Sequence, residues 1–219
     1  YERILIVSET VFSMDGDRAP VGELVALKKE FGALLYLDEA HASGVIGPSG
    51  RGAVAAAGCA DEVDLLMGTF SKALAGFGAF IACTPLMKEF LLNAARSFVY
   101  STALPAYVIA GNIAALEAAV AEEPRREALR HNAERLRKRL QQAGLAVRGS
   151  TQIVPVLIGD TERTTLICER MREKGYWMVP IRPPTVPPGS ARIRMSLCAT
   201  HESGMLERMA DELIDCSRV

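Results

Sequence analysis

A lysine, a histidine and a pair of carboxylates stand just beyond two apolar runs. Lys72 closes Gly68-Thr69-Phe70-Ser71-Lys72 after Leu65-Leu66-Met67, and Leu34-Leu35-Tyr36-Leu37 runs into Asp38-Glu39-Ala40-His41. Each run reads as a buried parallel strand. Ligands of open α/β sheets sit beyond the carboxyl ends of the strands. The pattern therefore delivers an amine, a carboxylate and an imidazole to one crevice. That trio suits pyridoxal phosphate: lysine holds its aldehyde as an imine, and a carboxylate partners its pyridine nitrogen.

Each residue also has a plainer reading. A lone lysine after a strand is usually surface, but Ser71, Ala73, Ala75, Gly76 and Gly78 surround Lys72 and leave room for a flat ring. Asp38 could be a turn or helix-capping residue. As a site residue it would hold the pyridinium N–H and keep the ring electron-withdrawing. Glu39 could serve instead, but adjacent residues point to opposite sides, and Asp38 lies nearer the strand. His41 is a structural histidine or a hydrogen-bond partner for the cofactor's phenolic oxygen. Thr69 and Ser71 offer hydroxyls for a phosphate, or simple turn chemistry. Gly47-Pro48-Ser49-Gly50-Arg51-Gly52 resembles a phosphate cradle without the P-loop lysine. Further on, Arg192 and Arg194 alternate with Ile193 on one strand, where an Arg fork suits a substrate carboxylate. Arg194 lies deeper in the strand and is the better candidate.

The elements that must position these residues follow from periodicity. Ile4–Val7, Leu34–Leu37, Asp64–Thr69 and Gly78–Cys83 read as strands, with a Pro20-initiated helix stopped by Gly32. A helix from Pro85 to about Ala95 follows, and Phe98–Tyr100 is strand-like. From Ala106 to about Ala143 the pattern is helical, divided near Pro124. The remainder reads as strand Ile153–Ile158, a helix from about Arg163 to Lys174, strands Trp177–Pro180 and Arg192–Leu197, and a last helix from about Glu202 to Asp215. The prolines of Ile181–Gly189 predict a stiff, extended path. This is an α/β chain: a mostly parallel large domain over residues 1–120 and a small α+β domain over 121–219. Hydrophobic residues make up 49% of 219 and the net charge is -1, which suits a globular core and gives no pull toward nucleic acid or anionic lipid. No apolar run approaches a membrane span. The five cysteines are scattered without a CxxC pair, and with three histidines they argue against zinc or a disulfide framework and for a reducing, cytoplasmic setting. The chain enters an apolar strand at once without an initiator methionine, which reads as the later part of a longer protein.

Asp38-Glu39-Ala40-His41, Thr69-Phe70-Ser71-Lys72, Ser101-Thr102-Ala103-Leu104-Pro105, the proline-rich segment and Arg194 together resemble the α-oxoamine synthases. The likeness runs in order along essentially the whole chain. It implies the fold type I, aminotransferase-like architecture of pyridoxal phosphate enzymes. Within the family, Ile181-Arg182-Pro183-Pro184-Thr185-Val186-Pro187 looks most like the biotin-pathway branch. The resemblance implies Lys72 as the imine-forming, acid–base lysine and Asp38 as partner of the pyridine nitrogen. It implies His41 and Ser13 as contacts of the ring oxygen, Thr69 as a phosphate ligand, Arg194 for the amino-acid carboxylate and Thr185 lining the substrate site. Tyr100, Ser101 and Thr102 would reach a neighbouring subunit's cofactor, which implies a homodimer. It also implies a further N-terminal stretch, supplying a glycine turn near the phosphate and an aromatic residue stacked on the ring. Sister enzymes share the Asp, His and Lys, so those residues do not fix the substrates. No GxSxG elbow supports a serine hydrolase.

Overall fold

Leu35 and Leu37 alternate with half-exposed neighbours and are fully buried, each worth roughly 1.5–3 kcal/mol of burial. They belong to strand β2 (Leu34–Asp38), the centre of a sheet with β1 (Leu5–Glu9) and β3 (Leu65–Thr69) parallel on either side. The computed structural model describes residues 2–218. Helix α1 (Val21–Phe31) begins after Pro20 and ends at Gly32, whose φ of 58° lets its N–H turn back to Lys28 O. Val21 and Val25, one turn apart, pack with Leu35, Leu37 and Val54 in the core under the sheet. Lys28 Nζ lies 2.8 Å from Asp64 Oδ2, and the same oxygen accepts the N–H of Leu35 at 2.7 Å. That brace fixes the entry of β2 beside the approach to β3.

A fourth strand, β4 (Ala79–Cys83), pairs antiparallel with β3 and completes the order β1-β2-β3-β4. The loop between β3 and β4 carries Lys72. A short helix α2 (Ala53–Ala56) lies between β2 and β3. After β4 come α3 (Pro85–Ala94), α4 (Arg96–Val99) and α5 (Ala106–Ala121). Phe98–Tyr100 is therefore not a strand. Val99 N–H bonds to Ala95 O and Tyr100 N–H to Arg96 O, so local i→i−4 bonding overrides the β preference of the aromatic and branched side chains.

The chain divides into two units, residues 1–11 with 19–123, and residues 12–18 with 124–219. The excursion Phe12–Arg18, which a single cut near residue 120 would leave with the first unit, belongs to the second. In the second unit, α6 (Glu123–Gln142), α7 (Thr161–Glu173) and α8 (Ser203–Ser217) accompany a four-stranded antiparallel sheet. Its order is β5 (Ala146–Val147), β6 (Ile153–Gly159), β8 (Ala191–Ser196), β7 (Val179–Ile181). Leu136 and Leu140 of α6, Val154 and Val156 of β6, Met171 of α7 and Leu213 of α8 are among its buried residues. Gly16 bonds to this sheet's approach: its carbonyl accepts from Thr151 Oγ1 at 2.9 Å and from Ser150 N–H at 2.9 Å. The proline-rich segment after β7 is not extended. Thr185 N–H returns to Arg182 O and Ser190 N–H to Pro187 O, so the backbone satisfies itself in successive turns. No helix among the described residues is long and apolar enough to cross a membrane.

Candidate active site

Parallel pairing sets the carboxyl ends of β2 and β3 side by side. Asp38 pairs in register with Met67, and Glu39 N–H continues the ladder to Met67 O at 2.8 Å. Asp38 is held from the other side as well, since its carbonyl accepts from Thr10 N–H at 2.9 Å. Its carboxylate is half-buried, and Oδ1 accepts Ala40 N–H at 2.7 Å in an Asx-type turn. The turn leads to half-buried His41. A Cβ built on Gly44 would lie 3.2 Å from Ala73 Cβ and 3.2 Å from Leu74 Cδ2, so the loop after His41 rests against the loop after Lys72. The first unit thus brings Asp38, His41, Thr69 and Lys72 to one end of one sheet.

The Lys72 loop is held by polar groups rather than by packing alone. Thr69 is buried, and Oγ1 donates to Gly78 O at 3.0 Å while accepting Ser71 N–H at 3.2 Å. In this arrangement the Thr69 hydroxyl closes the loop, and Ser71 is the exposed hydroxyl beside Lys72. Asn112, 4% exposed on the otherwise apolar α5, grips the far side. Its Nδ2 donates to Phe77 O at 3.0 Å and its Oδ1 accepts Phe77 N–H at 3.4 Å. Sequence reasoning missed Asn112. Its signal was a single amide in Ala106-Tyr107-Val108-Ile109-Ala110-Gly111-Asn112-Ile113-Ala114-Ala115, a helix that otherwise carries no polar side chain before Glu117 except Tyr107. Lys72 itself is exposed, its ammonium open to a ligand. Ser101 and Thr102 are exposed in the connection between α4 and α5, where Ser101 Oγ bonds back to Ser97 O.

The glycine-rich loop closes at Gly52 against the chain's own Glu39, whose carboxylate is held by the N–H groups just beyond that loop. Val54 N–H donates to Glu39 Oε1 at 2.7 Å, and a Cβ on Gly52 would fall 1.8 Å from Oε2. Burial pushes the Glu39 carboxyl up, opposed by the N–H groups of Val54 and Ala53. Asp38 and Glu39 thus divide as adjacent residues must, with Glu39 turned into the fold.

Ser13, Thr185 and Arg194 lie in the second unit. Ser13 is half-buried and Thr185 exposed. The two strand arginines differ. Arg192 is buried and spent: Nε donates to Ser190 O at 3.1 Å and the guanidinium pairs with Asp15. Arg194 is half-buried with its Nε unpaired, and burial lowers its proton affinity, though a guanidinium stays charged at neutral pH. An orphaned buried donor on a cation is what an incoming carboxylate would satisfy.

The donor set fits pyridoxal phosphate: an exposed amine for its aldehyde, a carboxylate for its ring nitrogen, and hydroxyls beside the amine for its phosphate. The chain belongs to the aminotransferase class I and II family, whose model matches residues 1–213. Its fold is the aminotransferase-like fold of pyridoxal phosphate enzymes, and its relatives are α-oxoamine synthases. A putative 8-amino-7-oxononanoate synthase of Magnetococcus marinus is 48% identical over 97% of this chain and 54% of that protein. The 8-amino-7-oxononanoate synthase of Geobacter sulfurreducens is 48% identical over 94% of this chain and 54% of its own length. A structure of serine palmitoyltransferase with a PLP internal aldimine superposes with a TM-score of 0.93 at 31% identity, covering 98% of this chain and 55% of that one. The chain spans about half the length of the curated relatives it matches.

Proposed function

We propose that the protein takes part in a decarboxylative condensation of L-alanine with a pimeloyl thioester, carried by coenzyme A or a carrier protein. The products are 8-amino-7-oxononanoate of biotin biosynthesis, carbon dioxide and the free thiol. The observation that carries this reading is the convergence of Lys72, Asp38 and His41 at one end of the β2–β3 pair in an α-oxoamine synthase relative. Bound there, pyridoxal phosphate supplies an electron sink for the bonds of the amino acid's α-carbon. Lys72 Nζ would hold the cofactor's aldehyde carbon and would move the proton at the amino acid's α-carbon. Asp38, braced by Thr10 and Ala40, keeps a proton on the ring nitrogen. His41 and Ser13 hydrogen-bond the ring oxygen, and Thr69 serves the phosphate by turning its hydroxyl from Gly78. Arg194 binds the amino-acid carboxylate and Thr185 lines the substrate site. Ser101 and Thr102 reach the cofactor of a second copy, making a homodimer in a cytoplasmic setting.

The test is titration of the protein with pyridoxal phosphate, borohydride reduction and peptide mapping. Stoichiometric label on Lys72, absent in Lys72→Ala, is expected. Turnover should fall in that variant by at least the roughly 10²–10⁴ that a positioned base supplies. Label scattered over surface lysines would mean that this chain does not form the site. Preference for glycine with acetyl-CoA over alanine with pimeloyl-CoA would move the protein to a sister activity.

A further inference from the structure

The closed loop around Glu39 contains a carboxylate that the proposed chemistry leaves unused. Glu39 is 1% exposed and is fixed at every polar group. Its N–H bonds to Met67 O at 2.8 Å, extending the pairing of β2 with β3. Its carbonyl accepts the N–H of Ala42 at 2.9 Å and of Ser43 at 2.8 Å, which forms the turn that bears His41. Its carboxylate takes Val54 N–H at 2.7 Å and the N–H of Ala53. Gly52, at φ +102° and with no room for a Cβ against Oε2, is the residue that lets the loop close so tightly. The loop returns to the turn as well, through Gly52 N–H on Ile46 O at 2.7 Å and Gly44 N–H on Gly50 O at 2.8 Å.

We infer that Glu39 is a positioning residue: its buried carboxylate staples the Gly47–Ala56 loop beneath the Asp38–His41 turn and thereby sets Asp38 and His41 at the end of the sheet. Asp38 and Glu39 share a peptide, and His41 sits inside the turn that Glu39 O nucleates. Releasing the carboxylate frees the loop and, with it, the aim of both side chains. A burial role alone would be met by any side chain filling the space. A positioning role needs an acceptor for two N–H groups, so Glu39→Gln, which exchanges one acceptor oxygen for an amide, should be intermediate and Glu39→Ala severe.

The inference rests on the proposed site only for its cofactor arm, so the two are tested apart. Amide exchange on the chain without added cofactor compares wild type, Glu39→Gln and Glu39→Ala. The expected result is exchange about tenfold or more faster in residues 40–46 and 47–56 of the Gln variant, and faster still in Ala, with β1–β3 unchanged. The second arm is the visible band of added pyridoxal phosphate. It should move and weaken in the same order, with turnover about 10²-fold down in Glu39→Ala, the scale of a small misplacement. Loosening of 47–56 with residues 40–46 and the band as in wild type would overturn the inference and leave Glu39 a loop staple. Uniform loosening of the sheet in the mild Gln variant would overturn it too. Failure of the wild-type chain to bind the cofactor would count against the proposed function, while the exchange arm would still decide the role of Glu39.

Discussion

Arg192 and Arg194 are two residues apart on one strand and do different work. Arg192 has its partners, Asp15 and Ser190, inside the fold, whereas Arg194 has a buried Nε with none. Arg194→Lys should therefore raise KM for the amino acid, because a lysine offers a point charge in place of a fork. Arg192→Ala should instead appear in urea unfolding. Its cost should stay below the roughly 3–5 kcal/mol of breaking a fully buried pair, since Asp15 keeps some solvent. Reversed results, a stability loss at Arg194 and a binding loss at Arg192, would exchange their roles. Glu39 adds a pH dependence. Its carboxyl is held above its ordinary value by burial. An acid raised in the folded state stabilises the fold fully below its unfolded value, and that contribution is lost as pH rises through the folded value. The stability of wild type relative to Glu39→Gln should thus decline as pH rises beyond the ordinary carboxylate range in paired denaturant melts. A difference that grows with pH would reverse the sign of the environment assigned here.

At the scale of elements, the Lys72 loop depends on α5 through one side chain. Asn112→Ala leaves both polar groups of Phe77 without their partner, at about 1–3 kcal/mol for groups shielded from water. It should speed amide exchange in residues 70–78 and weaken cofactor binding while leaving α6–α8 protected. Equal exchange in the loop with and without Asn112 would show that the Thr69 bonds suffice. Such anchors are poorly legible in sequence. The strands β1 to β3 were readable because short continuous apolar runs bounded by turn residues read as strands, although Leu5 and Val7 of β1 stay exposed, and Asp38, His41 and Lys72 stood out because they stand just past such runs. The direction of β4 was not readable, since Ala79-Phe80-Ile81-Ala82-Cys83 is equally apolar either way and only the short connection through Gly78 reverses it. Phe98–Tyr100 misled because three β-favouring side chains occupy the end and cap of a helix too short to show periodicity. Strand β5 has two residues, below any pattern. The glycine-rich loop looked like a phosphate cradle; that Gly52 instead closes against the Glu39 carboxylate, held by Ala53 and Val54, is a long-range fact that local spacing does not contain.

The surface of the first unit sets the behaviour of the whole chain. Ile109, Ile113, Leu116 and Val120 of α5 recur at four-three-four spacing and are all exposed, Ile113 at 53%. That is the seam a partner helix packs against. Leu86 and Phe90 of α3 and Phe98 of α4 are exposed too, as are Leu5 and Val7 on β1, whose outer edge has no strand beside it among the described residues. Soluble monomers rarely leave contiguous apolar patches beyond about a few hundred Å² uncovered, and an unpaired edge strand is a template for association. Sedimentation at micromolar concentration should give species heavier than one chain, with binding of an apolar dye. Ile113→Glu with Leu116→Glu places like charges on the α5 seam without touching Asn112's grip on Phe77. It should shift the population toward single chains at unchanged helical content. A wild-type chain that sediments singly and binds no dye would mean that these side chains cover one another, and the α5 seam would then be an inner face rather than a docking one.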